Sequence, residues 1–219
     1  PNLYRCIAEL LDAEGQVLHS RETTFGFRTA VFRADGFYLN GKKTFLRGLN
    51  RHQSYPYIGY AAPESLQRQD ARILKNELHC NAVRTSHYPQ SQYFLDECDR
   101  LGLLVFTELP GWQHIGDGAW KDRACAMLQE MLLQNRNHPS IILWGVRINE
   151  SVDDDEFYTR TNQIAHTLDP SRATSGVRYL EKSHLLEDVY AYNDFSHNGS
   201  NAGAKRKKDV TPDLSKALL

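Results

Sequence analysis

Two carboxylates in this 219-residue chain stand where packing does not explain them. Glu108 follows closely on the apolar run Leu103-Leu104-Val105-Phe106, and Glu150, beside Asn149, comes shortly after Ile141-Ile142-Leu143-Trp144. Carrying an unpaired carboxylate into apolar surroundings is costly, so each needs a reason. Paired carboxyls suit acid, base and nucleophilic work, and glycoside hydrolysis sets two of them across one bond. The other apolar runs also end in large polar residues. Asn50, Arg51 and His52 form one group, and Arg84, Ser86, His87 and Tyr88 a second. Trp112 and His114 lie just beyond Glu108, and Tyr192 and Asn193 close a later run. Indole rings stack on the apolar face of a sugar, and Asn, Arg and His bond its hydroxyls. No serine or cysteine sits in a G-x-S-x-G elbow. His87, Glu108 and His114 are a trio with metal-ligand chemistry, but the Pro110-Gly111 turn between them leaves their geometry open. Neither a metal nor a cofactor is expected.

The elements that position these residues alternate. Phe37 to Gly48 carries a strand signal around Asn40-Gly41, and Asn81-Ala82-Val83-Arg84, the two apolar runs, Ala173 to Val177 and Val189 to Tyr192 read as further strands. Helices are predicted over Pro63 to His79, with Leu66, Ile73, Leu74 and Leu78 on one face, and over Gln90 to Leu101, stopped by Gly102. Two more are predicted over Trp120 to Asn135, with Met127, Leu128, Met131 and Leu132 inside, and over Asp155 to Leu168. Strand and helix in alternation mean a parallel α/β sheet, doubly wound or closed as a barrel. The absence of G-x-G-x-x-G and G-x-x-x-x-G-K-[ST] removes the usual marker of nucleotide-binding sheets. In a barrel all these strand ends converge on one mouth. Six strands can be counted from Phe37, and Ala217-Leu218-Leu219 reads as the start of a seventh, so a (β/α)8 TIM barrel would be incomplete.

Residues 1–30 differ. Tyr4, Cys6, Ala8 and Leu10 alternate with their neighbours, Asp12-Ala13-Glu14-Gly15 is a turn, and Val17 to Thr24 continues beyond it. Such a hairpin is too small to bury a core and reads as the tail of a preceding β domain. With Pro1 at the start and an apolar run at the end, the chain reads as a fragment of a longer protein.

Composition excludes several classes. Lys and Arg number 26 against 27 Asp and Glu, which provides no broad footprint for nucleic acid or an anionic membrane. No apolar run approaches the roughly 20 residues of a membrane span. The basic run Lys205-Arg206-Lys207-Lys208 reads as a solvated loop within Asp194 to Asp213. The four cysteines form no C-x-x-C pair, and Cys98 and Cys125 fall on apolar helix faces. Buried reduced thiols favour a reducing compartment, the cytoplasm.

Asn81-Ala82-Val83-Arg84-Thr85-Ser86-His87-Tyr88-Pro89, followed by Phe94-Leu95, Asp99 and Gly102 to Phe106, resembles one signature of the β-galactosidase/β-glucuronidase family, glycoside hydrolase family two. Asn137-His138-Pro139-Ser140 running through Gly145, then Asn149-Glu150, resembles the family's acid/base signature. Gly48-Leu49-Asn50-Arg51-His52 resembles the end of its first barrel strand. The resemblance implies that residues 1–30 end an immunoglobulin-like β-sandwich and that 31–219 are the first part of the catalytic barrel. It further implies a retaining exo-β-glycosidase, with β-galactoside the favoured substrate and β-glucuronide or β-mannoside the alternatives. Glu150 would be the general acid/base, its pKa raised in the full enzyme by a nearby second carboxylate and a partly apolar wall. Asn149 would bond the sugar 2-OH, and Arg84 would orient the nucleophile. His52, His87 and Tyr192 would contact hydroxyls or the catalytic carboxylates, and Trp112 would be a stacking platform. Glu108 would be either a substrate acceptor or the partner of Arg84, and Trp144 would pack the barrel interior, with sugar stacking the second reading.

The family's nucleophile, a Glu at the end of strand seven, is expected beyond Leu219. Galactosidases of the family bind magnesium through a Glu and a His after strand three. That pattern is not reproduced in Glu108-Leu109-Pro110-Gly111-Trp112-Gln113-His114. The rival of another class is a non-catalytic carbohydrate-binding protein on a degenerate barrel. A homo-oligomer stays open.

Overall fold

The computed structural model describes residues 1–196 and 204–219. Its first elements, β1 (Tyr4–Leu11) and β2 (Val17–Phe25), pair antiparallel from Tyr4↔Phe25 inward. The Asp12 carboxylate accepts from the backbone N–H of Glu14 and Gln16, and Gly15 takes φ +82°, so the predicted turn forms where its residue types favour it. Every residue of β1 is exposed, Leu10 included.

A three-stranded antiparallel ribbon follows: β3 (Ala30–Arg33), β4 (Gly36–Leu39) and β5 (Lys42–Thr44). This corrects the expected first strand over Phe37 to Gly48. Asn40 and Gly41 both have positive φ, 49° and 77°, the signature of a tight hairpin turn, so the chain reverses there. Only β6 (Gly48–Asn50) enters the main sheet.

That sheet contains β6, β7 (Ala82–Arg84), β8 (Leu104–Glu108), β9 (Ile141–Gly145), β10 (Ala173–Arg178), β11 (Val189–Tyr192) and β12 (Ala217–Leu218). All neighbours are parallel, and spatial order equals chain order. A doubly wound sheet reverses its order at a switch point, whereas this one never does, so it curls as a barrel. Among the described residues, seven of the eight strands of a TIM barrel are present.

Four helices cross over the outer face: α1 (Glu64–Arg72), α2 (Gln92–Leu101), α3 (Gly118–Asn135) and α4 (Asp155–Leu168). A short α5 (Lys207–Val210) precedes β12. Gly102 takes φ +65° and ends α2, and Asp117 and Asp154 cap α3 and α4 through their carboxylates. No helix among the described residues is long and apolar enough to cross a membrane.

Two apolar clusters hold the sheet. One lies between strands and helices and contains Ala71, Leu95, Cys98, Leu128, Trp144 and Phe157. The other fills the concave side with Leu104, Phe106, Ile142, Val177, Val189 and Ala217, and Phe37 of the ribbon packs into it. Three expectations change here. Trp144 belongs to the outer cluster and donates its Nε1–H to Asp169 at 2.9 Å, so it does not pack the barrel interior. Leu78 is exposed because a π-turn over Ile73–Glu77 shifts the helical phase after α1. Met127 sits half-exposed at the margin of the buried face of α3.

All four cysteines are free, and Cys80, Cys98 and Cys125 are buried. In the basic run, Lys205 pairs with Glu181, Arg206 with Asp209, and Lys207 donates to the carbonyls of Ala34 and Leu214. Part of the expected loop, 197–203, lies outside the described residues.

Candidate active site

One guanidinium ties four strand ends together. Arg84, the last residue of β7, donates from Nε to Glu108 Oε1 at 2.9 Å, at the end of β8. Its Nη2 donates to Asn149 Oδ1 at 2.5 Å, beyond β9, and its Nη1 donates to Asn193 Oδ1 at 3.2 Å, just after β11. His87 Nδ1 lies 3.0 Å from the same Nη2 and 3.4 Å from Glu108 Oε2. A planar fork with all its donors on one side chain can hold such a set, which a lysine cannot.

Glu108 is 1% exposed, and the carboxylate is engaged by Arg84 and His87. Of the two readings left open from sequence, this geometry fits the partner of Arg84. The fit depends on Gly145 of β9, directly opposite: a Cβ there would stand 2.7 Å from Glu108 Cγ.

Glu150 is set by backbone contacts on both sides. Its N–H donates to the Val177 carbonyl at 2.8 Å, and Asn149 pairs with Trp112 in a parallel bridge. The residue takes φ +54°, a left-handed conformation that costs a non-glycine residue about 1 kcal/mol or more and clusters at functional sites. Below it, the buried Arg147 stacks on Tyr158 and donates to the Ser151 carbonyl and to Asp153, holding the loop down.

Three neutral donors converge on the Glu150 carboxylate. Trp112 Nε1 reaches Oε2 at 3.0 Å, Gln113 Nε2 the same oxygen at 3.3 Å, and Asn193 Nδ2 reaches Oε1 at 2.6 Å. Burial pushes this carboxyl up, but the donors outweigh it, and the group lies below the ordinary glutamate value. In this chain hydrogen bonds to the charged form dominate, whereas the rise expected in the full enzyme rests on a second carboxylate close to Glu150.

Of the remaining expected residues, Trp112 presents its ring at the mouth, 62% exposed. His52 stands edge-on to His87 at 5.5 Å, with Nδ1 at 3.4 Å from the Tyr88 hydroxyl. Burial, together with the charges of His87 and Arg84, pushes its pKa down. Tyr192 lines the barrel cavity beside Arg84 and Asn193, but its hydroxyl faces Lys205 at 3.3 Å. Arg51 turns away from the mouth to Asp70, Gln67 and Gln90. His114 packs edge-on against Trp120, so the trio with His87 and Glu108 does not assemble. Among the described residues no group of three His, Cys, Asp or Glu could hold a metal. Asn193 is the contributor that sequence reading left without a role. Its signal was an amide at a strand end, as in Asn149.

The carboxylate, the arginine fork and the amides gather at the carboxyl-terminal mouth of a parallel barrel, where barrel enzymes keep their chemistry. The model for the TIM barrel domain of family 2 glycosyl hydrolases matches residues 31–200, and the chain belongs to that family. It is 63% identical over 190 residues to a β-galactosidase of Thermoanaerobacterium thermosulfurigenes, covering 87% of this chain and 26% of that protein. A β-galactosidase of Thermoanaerobacter pseudethanolicus is 58% identical over 199 residues, covering 90% and 27%. Among solved structures, apo β-glucuronidase 3 of Bacteroides uniformis superimposes with a TM-score of 0.79 at 38% identity, covering 88% of this chain and 26% of that one. The chain thus spans about a quarter of the length of the curated relatives it matches.

Proposed function

We propose that this chain carries the acid/base side of a retaining exo-β-glycosidase acting on terminal β-galactosides. The observation that carries the reading is the Glu150 carboxylate, exposed to the mouth and held by Trp112, Gln113 and Asn193. Glu150 protonates the leaving oxygen and then takes a proton from the attacking water. Its neighbour Asn149 supports a 2-OH contact, since Arg84 occupies its oxygen while Nδ2 is buried without a partner. An unpaired buried donor is costly, and a sugar hydroxyl relieves it. Arg84 orients the nucleophile, His52, His87 and Tyr192 serve hydroxyls, and the open ring of Trp112 suits stacking.

A retaining mechanism needs a second carboxylate about 5 Å from the first. Glu108 is committed to Arg84 and His87, so the reading assigns the nucleophile outside residues 1–219. The galactoside preference rests on the names of the Thermoanaerobacterium and Thermoanaerobacter relatives. The exposed apolar side chains of β1 and β2 support residues 1–30 as the end of a β-sandwich, with the barrel from 31 onward. The free cysteines support action in the cytoplasm.

The test is turnover by the full-length protein of aryl β-galactoside, β-glucuronide and β-mannoside, with the product anomer followed by NMR. Retained β-product from the galactoside is expected, and Glu150→Gln loses far more rate on poor leaving groups than on activated ones. An inverted product overturns retention. Binding without turnover favours the carbohydrate-binding alternative.

A further inference from the structure

Asn193 lies between the two groups that matter most in this mouth. Its Nδ2–H donates to Glu150 Oε1 at 2.6 Å, and its Oδ1 accepts from Arg84 Nη1 at 3.2 Å. The orientation of the amide is dictated, because an ionised carboxylate only accepts and a guanidinium only donates. Trp112 and Gln113 reach Glu150 but not Arg84, and Asn149 reaches Arg84 but leaves its own nitrogen unpartnered. Among the described residues Asn193 is therefore the side chain that joins the two. Few side chains can do this. An aspartate has no donor for Glu150, and a serine hydroxyl is too short to span both groups.

Resting on the acid/base reading of Glu150, we propose that Asn193 is a positioning residue that aims the Glu150 carboxylate and favours its ionised form while keeping it in register with Arg84. It touches no reacting atom. It acts when Glu150 releases its proton to the leaving oxygen, because the amide N–H already points at the oxygen on which charge develops, and preorganised donors need no rearrangement at that moment. The contribution of Asn193 to holding Glu150 below its ordinary value agrees with this. The charged and titratable groups around Glu150 are His87 and Arg84 after and on β7, Glu108 at the end of β8, and His52 behind His87. Of these groups Arg84 alone bonds Asn193, so Asn193→Asp leaves it an acceptor and Asn193→Ala removes one.

The experiment compares Asn193→Ala, Asn193→Asp and Glu150→Gln in the full-length protein. Asn193→Asp keeps the volume and the acceptor for Arg84 but turns the donor toward Glu150 into a like charge. Rates are measured on an activated aryl glycoside and on an unactivated one, and kcat/KM is followed against pH. In Asn193→Ala, kcat on the unactivated substrate falls roughly tenfold further than on the activated one, with KM little changed. The alkaline limb of kcat/KM moves to higher pH in Asn193→Ala and further in Asn193→Asp. Titration of the Glu150 carboxyl by 13C NMR in the purified variants moves the same way and needs no turnover. If the limb and the 13C titration stay at their wild-type positions while Glu150→Gln still discriminates between leaving groups, the role of Asn193 is overturned and the acid/base reading stands. If Glu150→Gln loses both substrates equally, the acid/base reading itself fails.

Discussion

Asn149 Oδ1 sits 2.5 Å from Arg84 Nη2, and this contact decides which way the Asn149 amide faces. With the oxygen claimed by a donor-only partner, the unpartnered nitrogen is the end left for a ligand. Asn149→Ala should lower kcat/KM on a β-glycoside by about 2 kcal/mol, or roughly thirtyfold, if that nitrogen serves the 2-OH. On the matching 2-deoxy glycoside the variant and the wild type should be nearly equal. Equal losses on both substrates would remove the 2-OH from the account.

Arg84 supports a second expectation, in which charge and geometry separate. Arg84→Lys keeps a cation beside Glu108 but loses the fork that reaches Asn149 and Asn193. Activity should fall by about two orders of magnitude, as misplacement near 1 Å can cause, with the melting temperature little changed. Arg84→Met leaves the buried Glu108 without its cation, and stability should drop by about 3 kcal/mol. Urea unfolding distinguishes the two variants.

Gly145→Ala tests how closely β8 and β9 approach at the mouth. Its Cβ would meet Glu108 Cγ at 2.7 Å, Glu108 Cα at 2.9 Å and the Thr107 carbonyl at 3.0 Å. Two of those atoms are backbone and cannot swing away. A loss of about 1–3 kcal/mol in stability is expected, accompanied by lower activity as Glu108 and Arg84 shift. Wild-type melting would mean that the strands part more easily than the packing implies.

Glu97, remote from the mouth, governs an acid-sensitive part of the fold. Arg100 is its strongest partner; burial opposes and Arg72 reinforces it, so the carboxyl titrates at about 2 instead of 4.5. A depressed carboxylate stabilises the fold above its ordinary value, and the contribution disappears as pH falls from 4.5 through about 2. Because both arginines are half-exposed, the effect should be on the order of 1 kcal/mol. Glu97→Gln should be less stable than wild type at neutral pH, and the gap should close below pH ~2.

Much of the barrel was legible because buried parallel strands are written as unbroken apolar runs. Leu104 to Phe106 and Ile141 to Trp144 are found where their composition predicted. The polar strand ends were legible for the same reason: Arg84, Glu108 and Asn149 follow such runs and do meet. Phase was harder to read. Alternation along β9 does not say which face meets helices, and Trp144 took the outer one. A π-turn leaves no mark in composition, so Leu78 was read as buried. Contacts between strands far apart in the chain were not legible at all. Asn193 lies 43 residues from Glu150, and only the curl of the sheet brings its amide to the carboxylate. The donors that lower the Glu150 carboxyl in this chain were not legible for the same reason.

Trp112, Gln113 and Asn193 share a property with a consequence for salt. None carries a charge, so most of what favours the ionised form of Glu150 is short-range hydrogen bonding that mobile ions do not screen. Of the charged neighbours, His87 contributes less than any of the three donors. The alkaline limb attributed to Glu150 should therefore hold its position between about 0.05 M and 0.5 M salt, whereas an acid tuned by ion pairs would drift as the Debye length shrinks. Descendants of this barrel could acquire very different surface charge, as saline or dilute surroundings demand, without retuning their proton donor.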